Sequence, residues 1–121
     1  MTGYNISETA ERFSLKPHTL RYYEKEGLIS PQKTETGLRC YSDADLEQLG
    51  MLCCLKNTGM SLKDIKRYFD LCKEGDGTVR ERLAIFESHR LHILEEIEAL
   101  QENLQRIERK IEWYKSSHGV K

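Results

Sequence analysis

Apolar positions recur along this chain in three rhythms, and each predicts a different element. From Asn5 to Glu26 they fall at helical spacing in two short runs, with Ala10, Leu15, Leu20 and Tyr23 as candidate contacts between them. Asn5 followed by Glu8 has the form of a capping box and opens a helix that reaches Arg12. Pro17 suits the first position of a second helix, where its missing N–H costs nothing, and Gly27 is a left-handed stop just past Glu26. Two short helices joined by Phe13 to Lys16 read as a helix-turn-helix, with Ser14 standing where a turn glycine is usual.

The rhythm shortens over residues 28–41, LISPQKTETGLRCY. Pro31 and the turn-forming Thr36-Gly37 predict a two-stranded ribbon, and a ribbon directly after a helix-turn-helix is a wing. Arg39 and Tyr41 alternate with Leu38 and Cys40, so the two sets are expected on opposite faces. Helical spacing returns at Ser42, which with Asp45 forms a cap for a helix running to about Thr58 and ended by Gly59. Ser61 with Asp64 starts another, to about Lys73, with Leu62, Ile65, Phe69 and Cys72 on one stripe. The short run EGDG, residues 74–77, reads as a linker.

From Thr78 onward the third rhythm is a heptad seam. Val79, Leu83, Phe86, Arg90, Ile93, Ile97, Leu100, Leu104, Ile107, Ile111 and Tyr114 follow alternating spacings of four and three, broken in chemistry only by Arg90. Such a helix is on the order of 55 Å long at 1.5 Å per residue. Its seam outruns any surface that the preceding 73 residues offer, so the pattern predicts a coiled-coil homodimer. Arg90 is expected to set the register through an acid on the partner. The fold class that follows is mainly α: a winged helix-turn-helix domain over 1–73, a linker over 74–77, a dimerisation helix over 78–115 and a flexible tail over 116–121.

Charge sharpens this division. Residues 12–41 carry six basic and three acidic side chains, a balance of +3, whereas residues 74–121 carry eight basic and ten acidic, a balance of -2. A polyanionic partner would therefore be met by the N-terminal third. The 121 residues, 38% hydrophobic and 32% charged, suffice for one modest core. No apolar run has membrane-spanning length and the N-terminus lacks the layout of a signal peptide, which points to a cytoplasmic protein without membrane contact. Four cysteines in a reducing compartment, with no C-x-x-C and no zinc spacing, imply neither disulfide framework, metal nor cofactor.

The chemistry of the second helix fits a duplex. Arg21 and Tyr22 supply a charged fork and a phenolic donor for phosphates, while Lys16, His18 and Thr19 at the helix start are placed to reach base edges. Each also has a plain reading as solvated surface. Tyr23 is expected to pack inward, and Glu24 to orient Arg21 or cap the fold. Catalysis finds no support, because a thiol nucleophile needs a neighbouring base and His18, His89, His92 and His118 fall in the reading helix, the seam region or the tail.

Three ordered strings, TLRYYEKEGLISP, TGLRCYSDADLEQL and KNTGMSLKDI, closely resemble the MerR family of bacterial transcription regulators over essentially the whole chain. The resemblance implies a dimer, held by an antiparallel coiled coil, that binds a pseudo-palindromic promoter operator. It further implies that the DNA spacer is bent and untwisted so that RNA polymerase engages both promoter elements, with readout partly through deformability. Carried over, Arg21 and Tyr22 hold phosphates from the recognition helix, Arg39 and Tyr41 from the first wing, and Lys63 from the second. Ser14, Pro17 and Cys40 depart from the family's usual residues.

The segment CCLKNTGMS followed by EGDGTVRER is similar to the branch of that family that responds to aldehydes and other electrophiles, and Cys54 matches its sensing cysteine. A thiolate adds to carbonyls and activated alkenes, and Lys56, Lys63 or a helix terminus is a candidate to favour it. Helical geometry sets Cys53 on the core stripe of Leu46 and Leu49 and Cys54 about 100° away on a flank. Cys54 as inert packing, a non-covalent ligand elsewhere, and a DNA-architectural protein without an effector are the alternatives.

Overall fold

The computed structural model describes residues 3–120 and is mainly helical. The elements are α1 (Ile6–Arg12), α2 (Pro17–Lys25), β1 (Gln32–Lys33), β2 (Arg39–Cys40), α3 (Asp43–Asn57), α4 (Leu62–Glu74), a 3-10 turn (Asp76–Thr78) and α5 (Val79–His118). They form two compact units, residues 1–82 and 83–121.

Local signals explain where the first helices begin. The Asn5 side chain accepts from the Glu8 amide at 2.8 Å while Glu8 accepts from the Asn5 amide at 3.1 Å, satisfying two donors that a helix start leaves open. Ser14 then takes φ +55°, a left-handed conformation that a glycine adopts without steric cost, and reverses the chain into α2. Thr9, Ala10, Leu20 and Tyr23 are buried, which closes the helix-turn-helix. Leu28 and Ile29 are also buried, and Gln48 of α3 donates to the Leu28 carbonyl at 2.8 Å, tying the wing's root to α3.

The wing pairs β1 and β2 antiparallel with Gln32 opposite Cys40 and Lys33 opposite Arg39. Its tip is a turn in which the Gly37 amide donates to the Thr34 carbonyl at 2.9 Å. Tyr4 extends the ribbon through a reciprocal backbone bridge with Tyr41, at 2.9 and 2.8 Å. Ser42 and Asp45 form the second capping box, and Leu46, Leu49, Leu52 and Leu55 of α3 supply the centre of the core. Each such buried leucine contributes about 1.5–3 kcal/mol. Ser61 caps α4 by accepting from the Asp64 amide, without the reciprocal bond, and α4 buries Ile65, Phe69 and Leu71; the expected stripe members Leu62 and Cys72 are only half-buried.

The run EGDG, expected as a short linker, is stapled by side-chain hydrogen bonds. Gly75 has φ +89° and ψ -156°, and Thr78 is buried with its hydroxyl donating to the Leu71 carbonyl at 2.6 Å. Arg82 donates to the Thr78 hydroxyl at 3.1 Å and to the Gly75 carbonyl at 3.2 Å. Helix α5 runs for 40 residues, about 60 Å, from Val79 to His118, past the expected end at residue 115. None of its residues is buried.

Candidate nucleic-acid interface

The sequence of α2 sorts its side chains by face. Leu20 and Tyr23 point inward, while Lys16, His18, Arg21 and Lys25 are exposed and Thr19 is half-buried. Tyr22 is 46% exposed and rests against Tyr23, with ring centroids 6.1 Å apart. Pro17 sets the start of the helix and Lys16 occupies the cap position without a side-chain cap bond, so the first-turn amides carry no such partner. Pro17 has no N–H and the Thr19 amide donates to the Lys16 carbonyl at 2.9 Å, so it is the row of exposed cations that suits phosphate.

Tyr23 is held from behind. Lys56 of α3 donates to its phenolic oxygen at 2.8 Å and sits 5.3 Å from the ring centroid. That hydrogen bond raises the Lys56 pKa above its ordinary value, against the opposing effect of burial. The bond spans 33 residues of sequence, and no local pattern announces it.

Glu24 faces the wing and not Arg21. Its carboxylate accepts from Nε of Arg39 at 2.5 Å, with the two side chains 28% and 22% exposed for Arg39 and Glu24 respectively. The hydrogen bond to Glu24 raises the Arg39 pKa further, outweighing desolvation. Lys33, directly across the ribbon from Arg39, is exposed and adds a cation that composition alone does not single out. The hairpin register about the Thr34–Gly37 turn is the signal that points to it.

Tyr41 requires a correction. Expected beside Arg39 as a phosphate contact, it is fully buried, and its hydroxyl has no hydrogen-bond partner among the described residues. Burial raises its pKa, with Glu24 adding to the effect and Arg39 opposing it. Tyr41 lies just past β2, where its backbone exchanges hydrogen bonds with that of Tyr4. Leu38, expected on the face opposite Arg39, is exposed at the ribbon tip. Lys63 is exposed in the first turn of α4.

Cys54 is exposed on α3 and Cys53 is half-buried beside it, as the helical offset requires. Burial raises the Cys53 thiol pKa, and the Lys56 charge acts on that thiol in the opposite sense. Lys56, a candidate activator of Cys54, is therefore turned to Tyr23 and felt at Cys53. Among the described residues no group of three His, Cys, Asp or Glu side chains forms a metal site, and no helix is long and apolar enough to cross a membrane.

The family profile of the MerR HTH family regulatory protein matches residues 4–72, which spans α1, the wing and nearly all of α4. The chain belongs to the MerR family. A second MerR profile, described as MerR, DNA binding, matches residues 46–110 and so runs from α3 into α5. An uncharacterized HTH-type transcriptional regulator of Haemophilus influenzae is 41% identical over 118 residues, 97% of this chain and 87% of that protein. The HTH-type transcriptional regulator AdhR of Bacillus subtilis is 38% identical over 92 residues, 75% of this chain and 66% of AdhR. Among solved structures, HiNmlR, described as a MerR family regulator lacking the sensor domain and bound to promoter DNA, superposes with a TM-score of 0.89 at 39% identity, over 98% of this chain and 95% of that one. These MerR relatives are transcriptional regulators and not enzymes, and the similarity to AdhR and HiNmlR places the chain near that branch of the family.

Proposed function

We propose that this MerR protein is a homodimeric regulator that grips a pseudo-palindromic promoter duplex and distorts its spacer to control transcription by RNA polymerase. The observation that carries the reading is the set of cations on α2 and the wing, where Lys16, His18, Arg21 and Lys25 are exposed and Arg39 and Lys33 stand opposite one another on the ribbon. Arg21, Tyr22 and Arg39 hold phosphates, Lys63 adds a grip from the second wing, and Lys16, His18 and Thr19 approach base edges. HiNmlR, bound to promoter DNA in its crystal, supports promoter DNA as the partner. Fluorescence anisotropy with promoter duplex tests it: Arg21→Ala should weaken binding and flatten the salt dependence by about 0.9 in log–log slope for each phosphate that is no longer neutralised. An unchanged affinity and slope would remove the phosphate clamp.

The second unit supplies the dimer. Large apolar side chains on α5 stand in water in the single chain, including Leu100 at 68% exposure, and an antiparallel coiled coil with a second copy covers them. The effector is an aldehyde or other electrophile that adds to Cys54, whose exposure leaves it open to attack. In vitro transcription with formaldehyde or methylglyoxal, under reducing conditions, should be switched in the wild type and not in Cys54→Ser. Equal responses of the two proteins would return Cys54 to a packing role.

A further inference from the structure

The recognition helix and the wing are separate elements, yet one ion pair joins them at the surface assigned to DNA. Glu24 is an acid on the recognition helix of a protein that must approach a polyanion, and on charge alone it opposes binding. The geometry gives it another role. Its Oε2 accepts from Nε of Arg39, and both side chains are more than two-thirds covered, so solvent screens the pair less than it would at an open surface. Arginine presents its donors in a rigid planar fork, and a bond at Nε fixes the plane while leaving the Nη donors outside that bond.

Resting on the DNA-binding reading above, we infer that Glu24 is a positioning residue that aims the Arg39 guanidinium at a backbone phosphate and makes α2 and the wing one rigid reading head. The loss of rotamer freedom that a long arginine incurs on gripping phosphate is then met during folding and not at binding. The hydrogen bond from Arg39 to Glu24 raises the Arg39 pKa, so the guanidinium keeps its charge. Glu24 is joined to Arg39 across 15 residues of chain, and the reciprocal bridge of Tyr4 with Tyr41 fixes the backbone at the end of β2. Both partners are thus held by backbone that the core anchors.

The two roles predict opposite signs. A duplex selected from random DNA by the wild-type protein serves as probe, and affinity is measured against salt for wild type, Glu24→Gln, Arg39→Ala and the double variant. If Glu24 positions Arg39, Glu24→Gln weakens binding about fivefold or more despite removing a negative charge. The double variant then binds no worse than Arg39→Ala, and the log–log salt slope flattens by up to about 1.8 for the two Arg39 side chains of a dimer. Tighter or unchanged binding by Glu24→Gln, or losses that add in the double variant, would overturn the inference while leaving the DNA-binding reading intact. Wild-type protein without affinity for any duplex would overturn both. A measurement independent of the variants' folding is the Arg39 Nε–H resonance of the wild type: protection from exchange should persist on binding DNA, and its disappearance would show that Arg39 leaves Glu24 to reach phosphate.

Discussion

Two residues carry conformational or polar costs that single substitutions should relieve. Ser14 holds φ +55° in the turn between α1 and α2, and a side chain there costs about 1–2 kcal/mol that glycine avoids, partly offset by the greater entropy of glycine in the unfolded chain. Ser14→Gly should therefore raise unfolding free energy by about 0.5–1 kcal/mol in urea melts at fixed protein concentration. Tyr41 buries a hydroxyl without a partner among the described residues, so Tyr41→Phe should be neutral or stabilising by up to about 1 kcal/mol at neutral pH. Because burial raises its pKa above the ordinary value of 10.0, the folded state keeps the proton where the unfolded chain loses it. The Tyr41 share of stability is thus whole below pH 10, declines as pH rises through the folded-state value, and should vanish from the alkaline melt of Tyr41→Phe. The burial of Tyr41 is not legible in the sequence, since alternation assigns Arg39 and Tyr41 to one face without saying that the core covers its Tyr41 end. Glu24 and Lys56 escape a local reading because their partners lie 15 and 33 residues away.

At the scale of elements, helix starts are the most legible features because their chemistry is local. Asn5 with Glu8 and Ser42 with Asp45 each satisfy backbone donors within one turn, and the caps stand where those pairs occur. The corner between α4 and α5 has the sequence of a linker because EGDG is polar and contains two glycines, while the residues that staple it, Thr78 and Arg82, come after the break. Gly75 is the sensitive point. An added Cβ meets nothing within 4 Å, so the cost of Gly75→Ala lies in the backbone, at φ +89° and ψ -156°, a region essentially reserved for glycine. The substitution should lower stability by about 1–3 kcal/mol, read from urea melts. Gly77→Ala, at the neighbouring position with the same open space and no positive φ, is the control and should change little.

For the whole molecule the exposed stripe of α5 is the dominant feature. Leu100→Lys, in the middle of the seam, should shift sedimentation at micromolar concentration from dimer to monomer and weaken operator binding, because one chain then presents one reading head. An undisturbed dimer would show that the seam is not the interface. The stripe is legible from spacing alone, since a heptad repeat needs no tertiary information to be recognised. It also makes part of the structure a matter of mass action. The core of residues 1–82 is closed by its own side chains, whereas in the proposed dimer the apolar face of α5 leaves water only when a second chain arrives. Dilution should therefore lower the melting temperature of the long helix, and expression level becomes an input to the regulator in its own right.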